Sequence, residues 1–308
     1  MRLPNLRRVI VSILAVGTCG GSAAAKPEPG PEVHRLAAEA PGIFANSYLV
    51  ETTTGVVVID GRLLTSDGKA VRAAIEATGK PLRAVLVTHG HPDHYNGITE
   101  ILGGQDLPVV STAAVDKVIR ENDAAKEKQW AETFGPEWPR RRTFPNRIVK
   151  DGESVTFDNV RFTVHELGPG ESHADSYWTA DIGGAKVAFI GDAVLHGVHA
   201  YVTDGHTTQW LANLARLRRD LKGFRTLYPG HGEPGGLALL DWQQGYLQEY
   251  RAAVKQLSNG APRLSEAQKK ELVARMKTVL PSDKLEFLIP LGADPVAAEL
   301  ATPGSAAK

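Results

Sequence analysis

Val87-Thr88-His89-Gly90-His91-Pro92-Asp93-His94 places four metal-competent side chains within six residues, directly after a strongly apolar run. Imidazoles and a carboxylate at this density are the donor set of a divalent-metal site. Leu82 to Val87 reads as a buried strand, and Asn96-Gly97 followed by Ile98 to Leu102 reads as a turn into a short helix. The cluster therefore sits where a strand ends, the place where open α/β structures put their chemistry. In extended chain His89 and His91 point the same way, with the small Gly90 between them. After the bend at Pro92, Asp93 and His94 face a second point a few ångströms away. One loop can thus serve two ions. The competing reading is a solvated histidine-rich turn, and residues downstream discriminate between the two.

Three later loops bear on that choice. Glu153 to Phe157 and Val160 to His165, split by Asp158-Asn159, read as a hairpin; Tyr177 to Ile182 and Val187 to Ile190, split by Gly183-Gly184, read as another. Between them lies Gly168-Pro169-Gly170-Glu171-Ser172-His173. Gly191-Asp192 follows the second hairpin, and a strand over Phe224 to Tyr228 runs into Pro229-Gly230-His231. Each of His173, Asp192 and His231 alone is ordinary loop chemistry. Their recurrence at the ends of successive apolar strands is not.

On these residues, from Phe44 to about Tyr250, the chain resembles the metallo-β-lactamase fold superfamily. The resemblance implies an α+β fold, an αββα sandwich of two mixed sheets flanked by helices, with metals at one edge. It also implies a ligand set: His89, His91 and His173 on a first zinc, Asp93, His94 and His231 on a second, and Asp192 bridging both. Two Zn2+ per chain are expected, with iron or manganese suited to the oxygen-richer position. Asp60, at the end of the strand Val56 to Ile59, is either a turn residue or, by the same resemblance, a carboxylate that holds a ligand histidine. His196, His199 and His206 read as structural or solvated.

The flanking sequence sets the context. Met1 to Ala25 has the order of a secretory signal: Arg2, Arg7 and Arg8, then apolar Val9 to Val16, then Ala23-Ala24-Ala25 before Lys26. Residues 26–308 are expected to form one domain in the periplasm or outside the cell, with a disordered tail over 300–308. The alternative is a lipoprotein anchored through Cys19, the only cysteine. Basic and acidic residues balance at 35 each, and loss of the three leader arginines leaves about minus three. That charge argues against nucleic acid or anionic lipid as partner. The apolar run is too short to span a bilayer, so no stable membrane insertion is expected after cleavage, and the expected partner is a small-molecule carbonyl substrate. Ser47 to Val50 and Val56 to Ile59 read as paired strands, Ala70 to Ala77 as a surface helix, and Ala113 to Trp130 as an amphipathic helix. The 112–145 insertion, with Trp130, Phe134 and Trp138, is expected either to pack as core or to cover the metals. Arg140-Arg141-Arg142 reads as a solvated basic run or as an attractor for an anionic substrate.

The expected reaction is hydrolysis of an ester, lactone or thioester by a hydroxide bridging two ions, which together lower the pKa of a shared water towards about 7. Asp192 bridges, and Asp93 also passes a proton to the leaving group. β-Lactam hydrolysis is the enzymatic alternative, although the true β-lactamases usually carry cysteine or serine where Asp192 stands. A mononuclear iron oxidoreductase resembling persulfide dioxygenases is a further one.

Overall fold

The computed structural model describes residues 31–301; the leader with Cys19 and the stretch 302–308 lie outside the described residues. Strands β1 (Glu32–Ala37), β2 (Asn46–Glu51), β3 (Val56–Ile59), β4 (Leu82–Leu86), β5 (Val109–Thr112) and β6 (Arg147–Val149) lie in that order in a six-stranded sheet. The first three pair antiparallel and the rest parallel. Strands β7 (Ser154–Phe157), β8 (Val160–Gly168), β9 (Asp175–Ile182), β10 (Ala185–Leu195) and β11 (Thr226–His231) form a second sheet in the order β11-β10-β9-β8-β7. Its only parallel pair is β10 with β11. Both sheets are mixed, as expected.

The two-residue period of β3 shows how the layers form. Val57 and Ile59 face a core between the sheets that includes Leu86, Val110, Phe162, Trp178 and Phe189. Val56 and Val58 face the other way, onto helices α1 (Thr65–Ala77), α3 (Ile98–Leu102) and α4 (Ala113–Phe134). A strand buried on both faces reads as a continuous apolar run, which is why Val56 to Ile59 carries no polar alternation. The second sheet is covered on its outer face by α5 (Thr207–Asp220) and α6 (Ala238–Ser258), with α7 (Glu266–Val279), α8 (Leu288–Leu291) and α9 (Ala293–Ala301) completing that layer. The order is helices, sheet, sheet, helices. The last helix takes in Leu300 and Ala301, the first two residues of the tail expected from 300.

The insertion departs from its sequence reading in one respect. Thr112 caps α4 by accepting from Val115 N–H, and the helix runs one turn beyond Trp130 to Phe134. Arg142 is not an attractor for substrate: its guanidinium donates to Asp123 at 2.6 and 2.7 Å and to Glu127 at 2.7 Å. Tyr95 O–H donates to the same Asp123 at 3.0 Å, so the ion pair ties α4 to the histidine loop. An arginine with so little exposure would be costly without these partners.

Candidate metal centre

The β4 strand ends at Leu86, and the loop beyond it is buried; Pro92 starts the one-turn helix α2 (Pro92–Tyr95), which turns Asp93 and His94 inward. Two groups of donors converge there. Asp93, His94, Asp192 and His231 form one, and His89, His91 and Glu171 the other, each group with its ligand atoms within 4.8 Å of one another. His231 Nε2 lies 3.1 Å from Asp93 Oδ2 and 3.3 Å from Asp192 Oδ2; His94 Nε2 lies 3.3 Å from Asp93 Oδ2 and 3.4 Å from Asp192 Oδ1. In the other group Glu171 Oε2 is 2.8 Å from His91 Nδ1 and 3.5 Å from His89 Nε2. Asp192 belongs by distance to the first of these groups, yet its charge also acts on His89 and Glu171 in the second.

Asp60 organises both groups from behind, in a left-handed backbone conformation with φ 62°. Its carboxylate accepts from His94 Nδ1–H at 2.9 Å, from Thr88 N–H at 2.9 Å and from Thr88 O–H at 2.8 Å. Thr88 Oγ1 in turn accepts from His89 Nδ1–H at 3.0 Å. Both imidazoles are thereby fixed with Nε2 unprotonated and pointing to the centre, the tautomer that a metal needs. Asp204 does the same for His91: its Oδ2 lies 3.3 Å from Nε2, leaving Nδ1 towards Glu171. The sequence reading missed Asp204. Gly230 makes room, since a Cβ there would lie 1.7 Å from Asp192 Oδ1.

His173 does not join these donors. Its side chain is 47% exposed, its Nδ1 is 2.7 Å from His206 Nε2, and its Nε2 is 3.8 Å from Asp204 Oδ2. Glu171 takes the place expected for it. Asp175, at the start of β9, accepts from Glu171 N–H at 2.7 Å, from Ser172 N–H at 3.1 Å and from Ser172 O–H at 2.5 Å. That closes the loop so that Glu171 turns in and the residue two further on turns out. Ser176 N–H and O–H both donate to Thr88 C=O, and Trp178 Nε1–H to Val87 C=O, which locks this loop against the histidine loop. A signal for Glu171 was present in the sequence. His91, Asp192, His231 and Glu171 each directly follow a glycine, whereas His173 follows Ser172.

The electrostatics fit a cation. Burial alone would lower the pKa of His94, but Asp192, Asp93 and Asp60 lift it well above the ordinary value. His231 is likewise raised, against burial, by Asp192 and Asp93. Asp93 and Asp192 are held far below the usual carboxylate range despite burial, by these same imidazoles. Burial, reinforced by the charge of His94, pushes His89 down, so it stays neutral. His89 Nε2, His94 Nε2 and Asp192 Oδ1 are buried with no hydrogen-bond partner. Three such atoms facing one centre would be costly unless something positive binds there. Divalent ions would replace the imidazole protons and satisfy these atoms at once. The residues present therefore fit bound metal ions.

The comparisons with known proteins agree with this picture. The chain is 25% identical over 179 residues to a hydroxyacylglutathione hydrolase from Albidiferax ferrireducens, covering 56% of this chain and 58% of that one. It is 22% identical over 207 residues to a type 2 metallo-β-lactamase from Bacillus sp. (strain 170), covering 64% and 70%. It thus spans less than two thirds of the length of the first of these relatives. In solved structures, a metallo-β-lactamase family protein from Thermus thermophilus superposes with a TM-score of 0.63 at 22% identity, over 88% of this chain and 93% of that one. A metallo-β-lactamase from Pontibacter korlensis superposes with a TM-score of 0.55 at 19% identity, over 72% and 97%. The family model for the metallo-β-lactamase superfamily matches residues 40–231, most of the described chain, and the protein belongs to that superfamily.

Proposed function

We propose that this chain is an exported dinuclear metal-dependent hydrolase that cleaves an ester, lactone or thioester. The observation that carries the reading is the pair of adjoining donor groups on one cleft, whose lining includes His91, Asp93, Glu171, Asp192 and His231. Two divalent ions held there would acidify a shared water and polarise a carbonyl oxygen. The chain's own residues do the rest. Asp192 belongs to one group and its charge reaches the other, where it would offset the repulsion of two cations, while Asp60 and Asp204 orient the imidazoles so that nothing reorganises during turnover. Asp93 presents its carboxylate to the cleft, within reach of a departing oxygen or sulfur that must take a proton. Similarity to hydroxyacylglutathione hydrolases supports hydrolysis at an acyl carbon. Export rests on the charged, apolar and small-residue order of residues 1–25.

A second reading has its own support. His89, His91 and Glu171 make a two-histidine, one-carboxylate face, a donor set typical of non-haem iron(II) centres that react with oxygen. Elemental analysis and a hydrolysis screen over lactones, thioesters, esters and β-lactams separate the two. Two ions per chain with turnover of a lactone, ester or thioester are expected. One iron per chain, oxygen consumption with a persulfide and no hydrolysis would overturn the hydrolase reading.

A further inference from the structure

Beyond the metal ligands, the cleft of about 630 Å³, counted with its open mouth, is walled almost entirely by carbon. Trp130 and Phe134 on α4, with Trp138 just after it, supply one group of wall residues; Ile43 and Leu63 supply a second. Leu285, Phe287 and Leu288, from the segment entering α8, supply a third. Four separate parts of the chain thus bring apolar side chains over one charged floor. Lys126 is the only basic side chain on the lining apart from the donor histidines, and its ammonium already donates to the Tyr201 hydroxyl oxygen at 3.0 Å.

Two features show that these walls are held against their own preferences. Ile43 and Leu285 have left-handed backbones, with φ of 50° and 61°, a conformation that costs branched side chains energy and persists only where the surroundings enforce it. Phe287 is 49% exposed although it borders a cleft, while only Ile148 and Leu291 are comparably exposed among large hydrophobic residues described. Leu291 lies one turn beyond Phe287, at the end of the short helix that Phe287 caps. Water contact at such side chains is unfavourable, and an apolar ligand lying over them would relieve it.

Resting on the hydrolase reading, we propose that this cleft selects carbonyl substrates carrying a bulky apolar group, either an aromatic ring or a medium-length alkyl chain. The apolar part lies among Trp130, Phe134 and Phe287, and the carbonyl lies over the donor groups. Hydrolysis adds one water across the acyl bond: the acyl carbon gains the hydroxyl and the leaving oxygen or sulfur gains the proton. Substrates with several charges are disfavoured, because the walls hold one already engaged cation.

The test uses the metal-loaded protein in two arms. In the first, kcat/KM is measured by acid release for the ethyl esters of acetic, hexanoic and decanoic acids, which carry no aromatic ring. A rise of at least tenfold from acetate to hexanoate is expected, from four added methylenes only partly buried. Trp130→Ser and Phe287→Ser should each shrink the hexanoate-to-acetate ratio threefold or more; Phe287 is exposed enough for its variant to fold. In the second arm, tryptophan fluorescence follows binding of 1-hexanol and 1-decanol, which need no turnover, and decanol should bind at least tenfold more tightly. Equal rates across the esters together with no binding of decanol would overturn the proposal and leave the hydrolase standing. Chain-length-dependent alcohol binding without hydrolysis of any ester, lactone or thioester would instead sink the hydrolase reading and leave the apolar cleft in place.

Discussion

Glu171 puts a third carboxylate into the two donor groups, where the resemblance implies imidazole. One more negative charge lowers the net charge of a loaded centre by one and hardens the donor set around the ion next to His89 and His91. Glu171→Gln keeps the shape and removes the charge, so the chain should drop from about two ions to about one by elemental analysis. His173→Ala should keep both, since His173 is half exposed and bonded to His206. Loss of an ion by His173→Ala, with Glu171→Gln unchanged, would restore the histidine as ligand. Asp60→Asn tests the orienting network: its single amide oxygen cannot replace both carboxylate oxygens, so either Thr88 N–H or the His94 and Thr88 O–H donors would face an NH2 group, and metal affinity should fall about 10- to 100-fold. An unchanged affinity would make Asp60 a turn residue only. The sequence made His89, His91, Asp93 and His94 legible because they fall within six residues at a strand end. Asp192 and His231 were legible through the glycine and strand that precede each. Glu171 also follows a glycine, but no apolar strand runs directly into it, and the histidine two residues on drew the reading away from it.

At the level of elements, strands proved easier to read than helices, and the reason is burial. Val56–Ile59, Leu82–Leu86 and Val187–Ile190 sit in cores on both faces, so their apolar runs are uninterrupted or nearly so. By contrast α7 buries only Leu272 and Met276, too few to set a helical period in sequence. The segment before α8 is held by a residue whose role was also only partly legible, His199. It donates from Nε2 to Ser282 C=O at 2.9 Å and accepts at Nδ1 from Tyr246 O–H, 3.0 Å away, while its own N–H donates to Lys284 C=O at 3.0 Å. These bonds anchor the stretch that continues into Leu285, Phe287 and Leu288 on the cleft. Burial lowers the His199 pKa below its ordinary value, even with the Ser282 carbonyl opposing it. The folded chain therefore binds fewer protons here than the unfolded chain. The stabilising contribution of His199 is complete above the unfolded pKa of about 6.5 and is lost as pH falls below it towards the lowered folded pKa. Thermal melting should accordingly fall between pH 7.5 and 5.5, and His199→Gln should show a shallower fall from a lower starting point. An identical pH slope in the variant would mean that His199 does not titrate differently on unfolding.

For the whole molecule, the donor groups stitch the two sheets together. Asp60, His89 and His94 follow strands of the first sheet, while Glu171, Asp192 and His231 lie on strands or loops of the second. Between the sheets lies an apolar core, and at this edge a few directional bonds already cross it, from Ser176 O–H to Thr88 C=O, from Trp178 Nε1–H to Val87 C=O and from Tyr48 O–H to Pro229 C=O. Bound ions would add to these bonds, and anything that binds the folded chain and not the unfolded one raises its stability by mass action. At free metal about 1,000-fold above the dissociation constant the gain is about 4 kcal/mol, which for a domain of this size raises Tm by roughly 8 °C or more. Treatment with a chelator should therefore lower Tm by about that amount. The increase in amide exchange should concentrate in 87–95, 169–175 and 229–232, not in α6 or α7. Protons compete with metal for the imidazoles, so the gap between loaded and chelated protein should narrow as pH falls from 7.5 to 5.5. A chelated protein with unchanged Tm and unchanged exchange in these loops would mean that the carboxylates and imidazoles pair well enough by themselves, and that the ions, if bound, serve only the chemistry and not the joining of the sheets.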